Sequence, residues 1–330
     1  MQSARLAPWQ RFTGDETWLG RHRPLVIAYG LIAVMLLITG VRHPGFVDPG
    51  NLRQQLVLAS FLAVAAAGET LVILTGGIDL SIAWNLNFAA ILMTQIANGV
   101  ETAGRLTQAI GAALLAAAAV GLVNGLGVAY LRIPSLVMTL GMNAVLLGLT
   151  LVYTNGTPQG TAPGVIQDLA TGRIVGVPWA LLLWLALSII VIFALRRTVF
   201  GRRLYAIGNN PRAAYLSGVP TRRVLVAAYT ACGLLAGITG LLLTGYSNQS
   251  YLRMGDGYVL PAIAAVVIGG TSILGGSGGY SGTIAGAITI TLLQNILSVE
   301  GIRQAGQQIL YGIIILLMLF VYGRGGRVHE

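Results

Sequence analysis

Long apolar stretches alternate with short polar or glycine-rich breaks along the chain. A helix needs about 20 apolar residues to cross roughly 30 Å of hydrocarbon, so each stretch predicts a membrane span. We place these spans at residues 25–41, 56–75, 80–98, 106–130, 133–153, 177–195, 224–245, 258–274, 281–298 and 305–322. The pattern predicts an all-α fold, a polytopic membrane helix bundle of about ten transmembrane helices over residues 25–322. A polar N-terminal segment (1–24) and a tail (323–330) flank this domain.

Composition supports a membrane protein and excludes several kinds of chemistry. Hydrophobic residues make up 55% of the chain and charged residues 9%, whereas soluble domains have roughly 25% charged residues. All 20 positions counted as lysine or arginine are arginine. A phosphate-binding Walker A loop or a Schiff base needs a lysine, so this chain has neither. With one cysteine, Cys232, and three histidines in polar flanks, we expect no catalytic residues, no metal site and no disulfide framework.

The arginines indicate the orientation, because loops that remain in the cytoplasm are enriched in Arg and Lys. If the chain starts inside, 14 arginines fall in inside segments and 6 in outside loops. Seven of the inside arginines lie between Arg196 and Arg223. We therefore expect both termini and the loop 196–223 to be cytoplasmic. No exposed basic domain is present to suggest nucleic-acid binding.

Glycines are frequent within the predicted helices. Three pairs stand four residues apart and permit close helix approach, namely Gly121 with Gly125, Gly233 with Gly237, and Gly282 with Gly286. Gly76-Gly77 and the run 275–282 differ, because they interrupt apolar stretches. Interrupted helices at membrane depth occur only against protein or a water-filled cavity. Each break therefore either lines a cavity or is a local turn.

A few polar side chains fall within or beside the predicted spans and are candidates for the translocation pathway. They are Glu69, Asp79, Asn85, Asn87, Asn124 and Asn143. A carboxylate at depth costs roughly 2.5–3.5 kcal/mol on the insertion scale unless it is paired or wetted. Glu69 is therefore either a pathway residue or the partner of an amide such as Asn124 or Asn143. For Asp79 we favour capping of a helix that begins near Leu80, with substrate contact second.

The loop 196–223 contains a predicted short helix. Asn210 supplies a cap and Pro211 a first helical residue, while Gly218 and Pro220 supply the stop. Its small, apolar residues suit a groove on a soluble partner, and the alternative is a connector on the membrane surface. The candidate coupling residues are Asn209, Asn210, Arg212, Ala213, Ala214, Leu216 and Gly218.

Several segments together resemble the ribose-type sugar permeases of ATP-driven (ABC) importers. Ala213-Ala214 followed by Gly218 resembles the Ala-Ala-x-x-x-Gly loop with which such permeases engage their ATPases, although Arg212 replaces the frequent acidic residue. Similar segments occur at residues 70–81 (TLVILTGGIDLS), 152–156 (VYTNG), 204–209 (LYAIGN) and 262–272 (AIAAVVIGGTS). The sequence departs from the family pattern at Glu69, at residues 82–84 and at Val259 and Pro261. These departures leave the substrate open.

The resemblance implies a type II-like ABC importer permease in the bacterial inner membrane. Its partners would be cytoplasmic ABC ATPase subunits, a second permease (an identical or homologous chain), a periplasmic sugar-binding protein and membrane lipid. The partner ATPase would use ATP and Mg, and this chain would bind no cofactor. The expected substrate is a monosaccharide or similar polyol. Alternatives are an ABC permease for nucleosides or branched-chain amino acids, and an ion-coupled secondary transporter, for which Glu69 is suitable but no convincing repeat is visible.

Overall fold

Thirteen α-helices make up most of the protein in the computed structural model, which describes residues 18–100 and 102–325. The predicted N-terminal segment and tail lie mostly outside these residues. In chain order the helices are α1 (Trp18–Arg42), α2 (Pro49–Ile73), α3 (Ile82–Ala97), α4 (Ala103–Ala129), α5 (Ser135–Thr154), α6 (Gly164–Thr171), α7 (Trp179–Arg197), α8 (Val199–Asn209), α9 (Pro211–Leu216), α10 (Thr221–Ser247), α11 (Val259–Ile268), α12 (Tyr280–Val299) and α13 (Gln304–Gly325). A short 3₁₀ helix (Pro44–Val47) precedes α2.

The predicted polytopic helical fold is confirmed. Among the described residues, six helices are long and apolar enough to cross a membrane, namely α2, α4, α5, α7, α10 and α12. The other four predicted spans coincide with shorter apolar helices or helix segments at Tyr29–Arg42, Ile82–Ala97, Val259–Ile268 and Gln304–Leu317.

The span predicted at 258–274 is the clearest correction. It is helical only as α11, because Gly269 and Gly270 end the helix and Gly270 adopts a φ of +84° that favours glycine. The span predicted from residue 80 begins at Ile82. A small antiparallel hairpin is an exception to the all-α prediction. Its strands, β1 (Arg173–Ile174) and β2 (Val177–Pro178), have two residues each.

Helix α2 lies at the centre of the bundle. Every residue from Ala59 to Thr75 is buried, and the helix packs against α7, α10, α11 and α12. By contrast, most residues of α5 and α7 are exposed or half-buried, although both helices are strongly apolar. A helix that is apolar all round but buried on one side alone suits a bundle surrounded by lipid or by another membrane subunit.

Small residues bring α4 and α10 into backbone contact, as the glycine spacing predicts. A Cβ added to Gly121 would lie 2.9 Å from Thr230 Cα, and one added to Gly233 would lie 2.9 Å from Gly121 Cα. Real Cβ contacts are longer than this, so neither position accepts a larger residue without separating the helices.

The connecting segments separate into two ends. One end, which we call the hairpin end, carries β1 and β2. There the Gln54–Tyr246 hydrogen bond joins α2 to α10, and the Arg42–Glu300 ion pair joins α1 to the turn between α12 and α13. The other end, which we call the α8–α9 end, carries the 74–81, 130–134 and 269–279 segments as well as those two helices. There the 74–81 segment contacts Ser135 at the start of α5 and Gly276 in the 269–279 segment.

Candidate functional site

The chain between α2 and α3 consists of turns and irregular backbone rather than a continuous helix. Gly76 has a φ of +83°, which allows the chain to reverse after α2. The segment returns beside α2, so that the Asp79 amide reaches Glu69, and α3 starts at that level. Backbone groups freed in this way need partners inside the protein. Side chains of α2 and α5 supply several of them, because Glu69 accepts from the Asp79 amide while Ser135 and Thr139 accept from the Ile78 and Leu80 amides.

Glu69 is completely buried and contacts this segment directly. Its Oε1 accepts a hydrogen bond from the Asp79 amide at 3.2 Å. The other oxygen, Oε2, has no hydrogen-bond partner among the described residues. The structure therefore pairs Glu69 with backbone and not with Asn124 or Asn143, the partners suggested by sequence.

Asp79 continues the network toward α4. Its Oδ1 accepts from the Ser81 amide (2.9 Å) and the Ser81 hydroxyl (2.6 Å), and the Asn124 side-chain amide donates to that hydroxyl oxygen at 2.8 Å. The predicted capping of the next helix is not observed, because the amide that Asp79 accepts from belongs to Ser81, the residue before α3, and no side chain among the described residues caps α3 itself. Glu69, Asp79, Ser81 and Asn124 thus form one buried chain of contacts, which we call the acidic network.

The other pathway candidates lie apart from the acidic network. Asn85 donates to the Ala117 and Gly233 carbonyls at 3.2 and 3.3 Å and so joins α3 to α4 and α10. Asn87 is buried with neither amide atom paired among the described residues. Asn143 is half-buried on α5, and its Oδ1 is likewise without a partner in the described part of the chain. Sequence reasoning grouped all six, whereas the structure brings three of them together.

The predicted short helix in the loop is confirmed as α9. The Asn210 side chain caps it by accepting from the Ala213 amide at 2.9 Å, Pro211 is its first residue, and Gly218 follows its end at a φ of +80°.

The direction of the α9 side chains corrects one sequence expectation. Tyr215 and Leu216 are 67% and 76% exposed, and Arg212 and Ala213 also face solvent. Ala214, which we expected on the docking face, is buried at 6% exposure in a cluster with Leu204 and Val224. A helix must bury one side to be held in place, and Ala214 occupies that side.

The preceding helix, α8, rests on both glycine-rich breaks, a contact that the sequence did not predict. The Gly276 amide donates to the Leu74 carbonyl at 3.0 Å, and the Asn209 side-chain amide donates to the Gly276 carbonyl at 3.2 Å. A Cβ on Gly208 would overlap Leu74 O and Gly276 N. We call this meeting point of residues 74–76, 208–209 and 275–276 the glycine junction. Its only sequence signal is the two glycine runs.

A further bond strengthens this contact. The Tyr205 hydroxyl donates to the Gly278 carbonyl at 2.9 Å. Burial raises the pKa of Tyr205 above its usual range, although nearby Arg196 opposes that rise. The phenol therefore stays protonated at neutral pH and remains a donor.

The described residues contain no group of three His, Cys, Asp or Glu side chains able to hold a metal ion. The structure combines a broken-helix bundle, a buried polar network and, at one end, the short and largely exposed helix α9. The helices long and apolar enough to cross a membrane define a polytopic helical membrane protein.

Comparison with known proteins gives the family. The family described as "Branched-chain amino acid transport system / permease component" matches residues 51–319. The chain belongs to this family of permeases. The ribose import permease protein RbsC of Escherichia coli K12 is 36% identical over 310 residues, which cover 93% of this chain and 94% of that protein.

Two further relatives show the range of the similarity. RbsC of Bacillus subtilis is 36% identical over 87% of this chain and 89% of its own length. The autoinducer 2 import system permease protein LsrC of Escherichia coli O157:H7 is 32% identical over 89% of this chain and 86% of its own. No solved structure matches the chain significantly.

Proposed function

We propose that this chain is the transmembrane permease subunit of an ATP-driven importer that moves a monosaccharide or similar polyol into the cytoplasm. The observation that carries the proposal is the similarity to ribose import permeases over 93% of the chain. The interior is consistent with a neutral substrate, since the described buried polar groups are mostly amides and hydroxyls, and Glu69 and Asp79 are the buried acids. A carboxylate or phosphate substrate would favour a buried cation.

In this account a partner ATPase docks on the exposed side of α9. Tyr215 and Leu216 supply apolar contact area and Arg212 a charge. The glycine junction then carries movement of α8 to the broken segments that follow α2 and α11. The ATPase binds and hydrolyses ATP with Mg, and this chain contributes no catalytic group.

The arginine distribution supports an inner-membrane orientation with the α8–α9 end and both termini in the cytoplasm. A periplasmic sugar-binding protein would then deliver the substrate to the hairpin end. A second permease, either a copy of this chain or a homologue, completes the complex against the exposed apolar faces.

A second candidate function has a specific observation in its favour. The family description names branched-chain amino acid transport, so an amino acid is the alternative substrate class. The two RbsC proteins, at 36% identity over most of the chain, are ribose permeases, which is why we favour a sugar.

Native purification tests the partnership. The tagged permease, extracted in a mild detergent from its own cells, should copurify with an ABC ATPase and a second permease identified by mass spectrometry. A complex that imports substrate in vesicles without any ATPase, driven by an ion gradient, would contradict the proposal.

A further inference from the structure

A cavity of about 450 Å³ opens at the hairpin end, between α11, α12, α13 and the loop at 256–257. Its volume lies in the usual range for small-molecule sites. None of the pathway candidates predicted from the sequence lines it. It also lies opposite the α8–α9 end, on the side to which a binding protein would deliver substrate.

Polar side chains line the cavity in a helical pattern. Helix α13 presents Gln304, Gln307, Gln308 and Tyr311, which are spaced i, i+3, i+4 and i+7 and so share one face. Helix α12 adds Gln294 and Ser298, spaced i, i+4. Gln304 and Gln308 are exposed and Gln307 is half-buried, so these amides are accessible to a molecule that enters the open cavity.

Several of these groups have unused hydrogen-bonding capacity. Tyr311 is 2% exposed, and its hydroxyl lies beside Gln294 without a hydrogen bond of ordinary geometry. The Gln308 side-chain amide makes no hydrogen bond with another described residue, whereas Gln307 is engaged with the Ser298 hydroxyl and the Ile302 carbonyl at 3.1 Å each. A buried hydroxyl without a partner is costly, which favours an occupant that supplies one.

The cavity carries no free charge among its described lining residues. Its one acid, Asp256, is held by Arg253 at 2.6 Å between Oδ2 and Nε. Amides and a hydroxyl both donate and accept, and Leu260, Pro261 and Ile302 add apolar wall. A molecule with alternating hydroxyls and C–H faces is complementary to this combination, whereas an anion finds no unpaired cation.

We propose that this cavity is the acceptor site for the sugar after its release from the binding protein, an inference that rests on the proposed function. Helix α11 connects the site with the coupling machinery. Pro261 lines the cavity near the start of that helix, and the other end of the helix, about 10 Å from Pro261 along its axis, leads through residues 269–275 to the glycine junction. Movement of α8 therefore reaches the cavity through one short helix.

Thiol protection tests the site in the assembled complex. Cys232 is buried at 1% exposure, so a cysteine introduced by Gln308→Cys is the reactive thiol of interest. A panel of pentoses, hexoses and sugar alcohols first identifies the sugar that the complex without substitutions imports fastest. The rate at which a neutral maleimide modifies the introduced thiol is then measured with and without saturating amounts of that sugar. Gln249→Cys, an exposed glutamine at the same end but outside the cavity, is the matched control.

We expect the sugar to slow modification at position 308 at least fivefold and to leave position 249 unchanged. The double variant Gln294→Leu/Gln308→Leu should also take up sugar at least tenfold more slowly at limiting concentration, since each lost hydrogen bond weakens binding several-fold. The rate of sugar uptake by the Gln249→Leu complex should remain within twofold of that of the complex without substitutions.

Three results are distinguishable. Sugar uptake by the unmodified complex with equal modification of position 308 in either condition would overturn the acceptor site alone. Protection by an amino acid but not by a sugar would overturn the sugar assignment of the cavity. Failure to import any sugar in the panel would overturn the proposed function itself, and this site with it.

Discussion

Substitution of Gly208 by alanine tests whether the glycine junction couples the ATPase to transport. Gly208 is the penultimate residue of α8, and an added Cβ would overlap Leu74 O on one side and Gly276 N on the other. Both obstacles are backbone atoms, so no side-chain rotation removes the overlap. The segments must move apart by on the order of 1 Å to restore van der Waals distance.

The size of the effect follows from this overpacking. Forcing an extra methyl group into a well-packed contact costs roughly 1–3 kcal/mol, and separation of the segments weakens the Gly276–Leu74 and Asn209–Gly276 hydrogen bonds. A coupling free energy of that size corresponds to about a 5- to 150-fold change. We therefore expect the amount of sugar imported per ATP hydrolysed to decrease by a factor in that range.

The assay uses the complete complex in liposomes, with ATP hydrolysis and sugar uptake measured in the same sample. Gly111→Ala is the matched control, because a Cβ at that position of α4 meets nothing within 4 Å. We expect the Gly208→Ala complex to assemble and hydrolyse ATP while uptake falls. If the Gly208→Ala and Gly111→Ala complexes import the same amount of sugar per ATP hydrolysed, the role of the junction is refuted.

Three further predictions concern docking, the acidic network and topology. Leu216→Glu should reduce ATPase copurification at least tenfold by placing a charge in the docking face, whereas Val175→Glu, 99% exposed at the other end, should not; equal recovery would make α9 a connector. Glu69→Gln, which keeps an acceptor for the Asp79 amide, should retain uptake, and Glu69→Leu should lose about 1–3 kcal/mol of stability by thermal unfolding. A stable Glu69→Gln protein without uptake would instead place the carboxylate in the transport step. In a Cys232→Ala background, an impermeant thiol reagent outside intact cells should label a cysteine at Val175 and spare one at Arg212; the reverse would invert the topology.

Periodicity and local signals were enough to predict α9 and the positions of most apolar helices, although the span predicted at 258–274 ends at Ile268. The Asn210 cap, Pro211 and Gly218 define α9 within a few consecutive residues, so no distant contact is needed to predict it. Ala214 shows the limit of that reasoning. Every α9 residue is outside the apolar spans, and composition does not reveal which side is packed against Leu204 and Val224.

The candidate sites were harder to predict because they depend on distant contacts. Glu69 stands out by composition, yet its partner is a backbone amide ten residues away, placed there by the turn at Gly76. The glycine junction joins segments near residues 75, 208 and 276. The cavity at the hairpin end likewise combines glutamines from two helices with a loop, and single polar residues at helix ends are too common to indicate such a site.

The most direct test of the central claim is uptake by the permease reconstituted in liposomes with its ATPase and binding protein. Sugars, sugar alcohols, nucleosides and branched-chain amino acids are each offered with and without ATP. We predict accumulation of a sugar or sugar alcohol only when ATP, the ATPase and the binding protein are all present. Uptake of an amino acid or nucleoside with no response to any sugar or sugar alcohol would contradict the account.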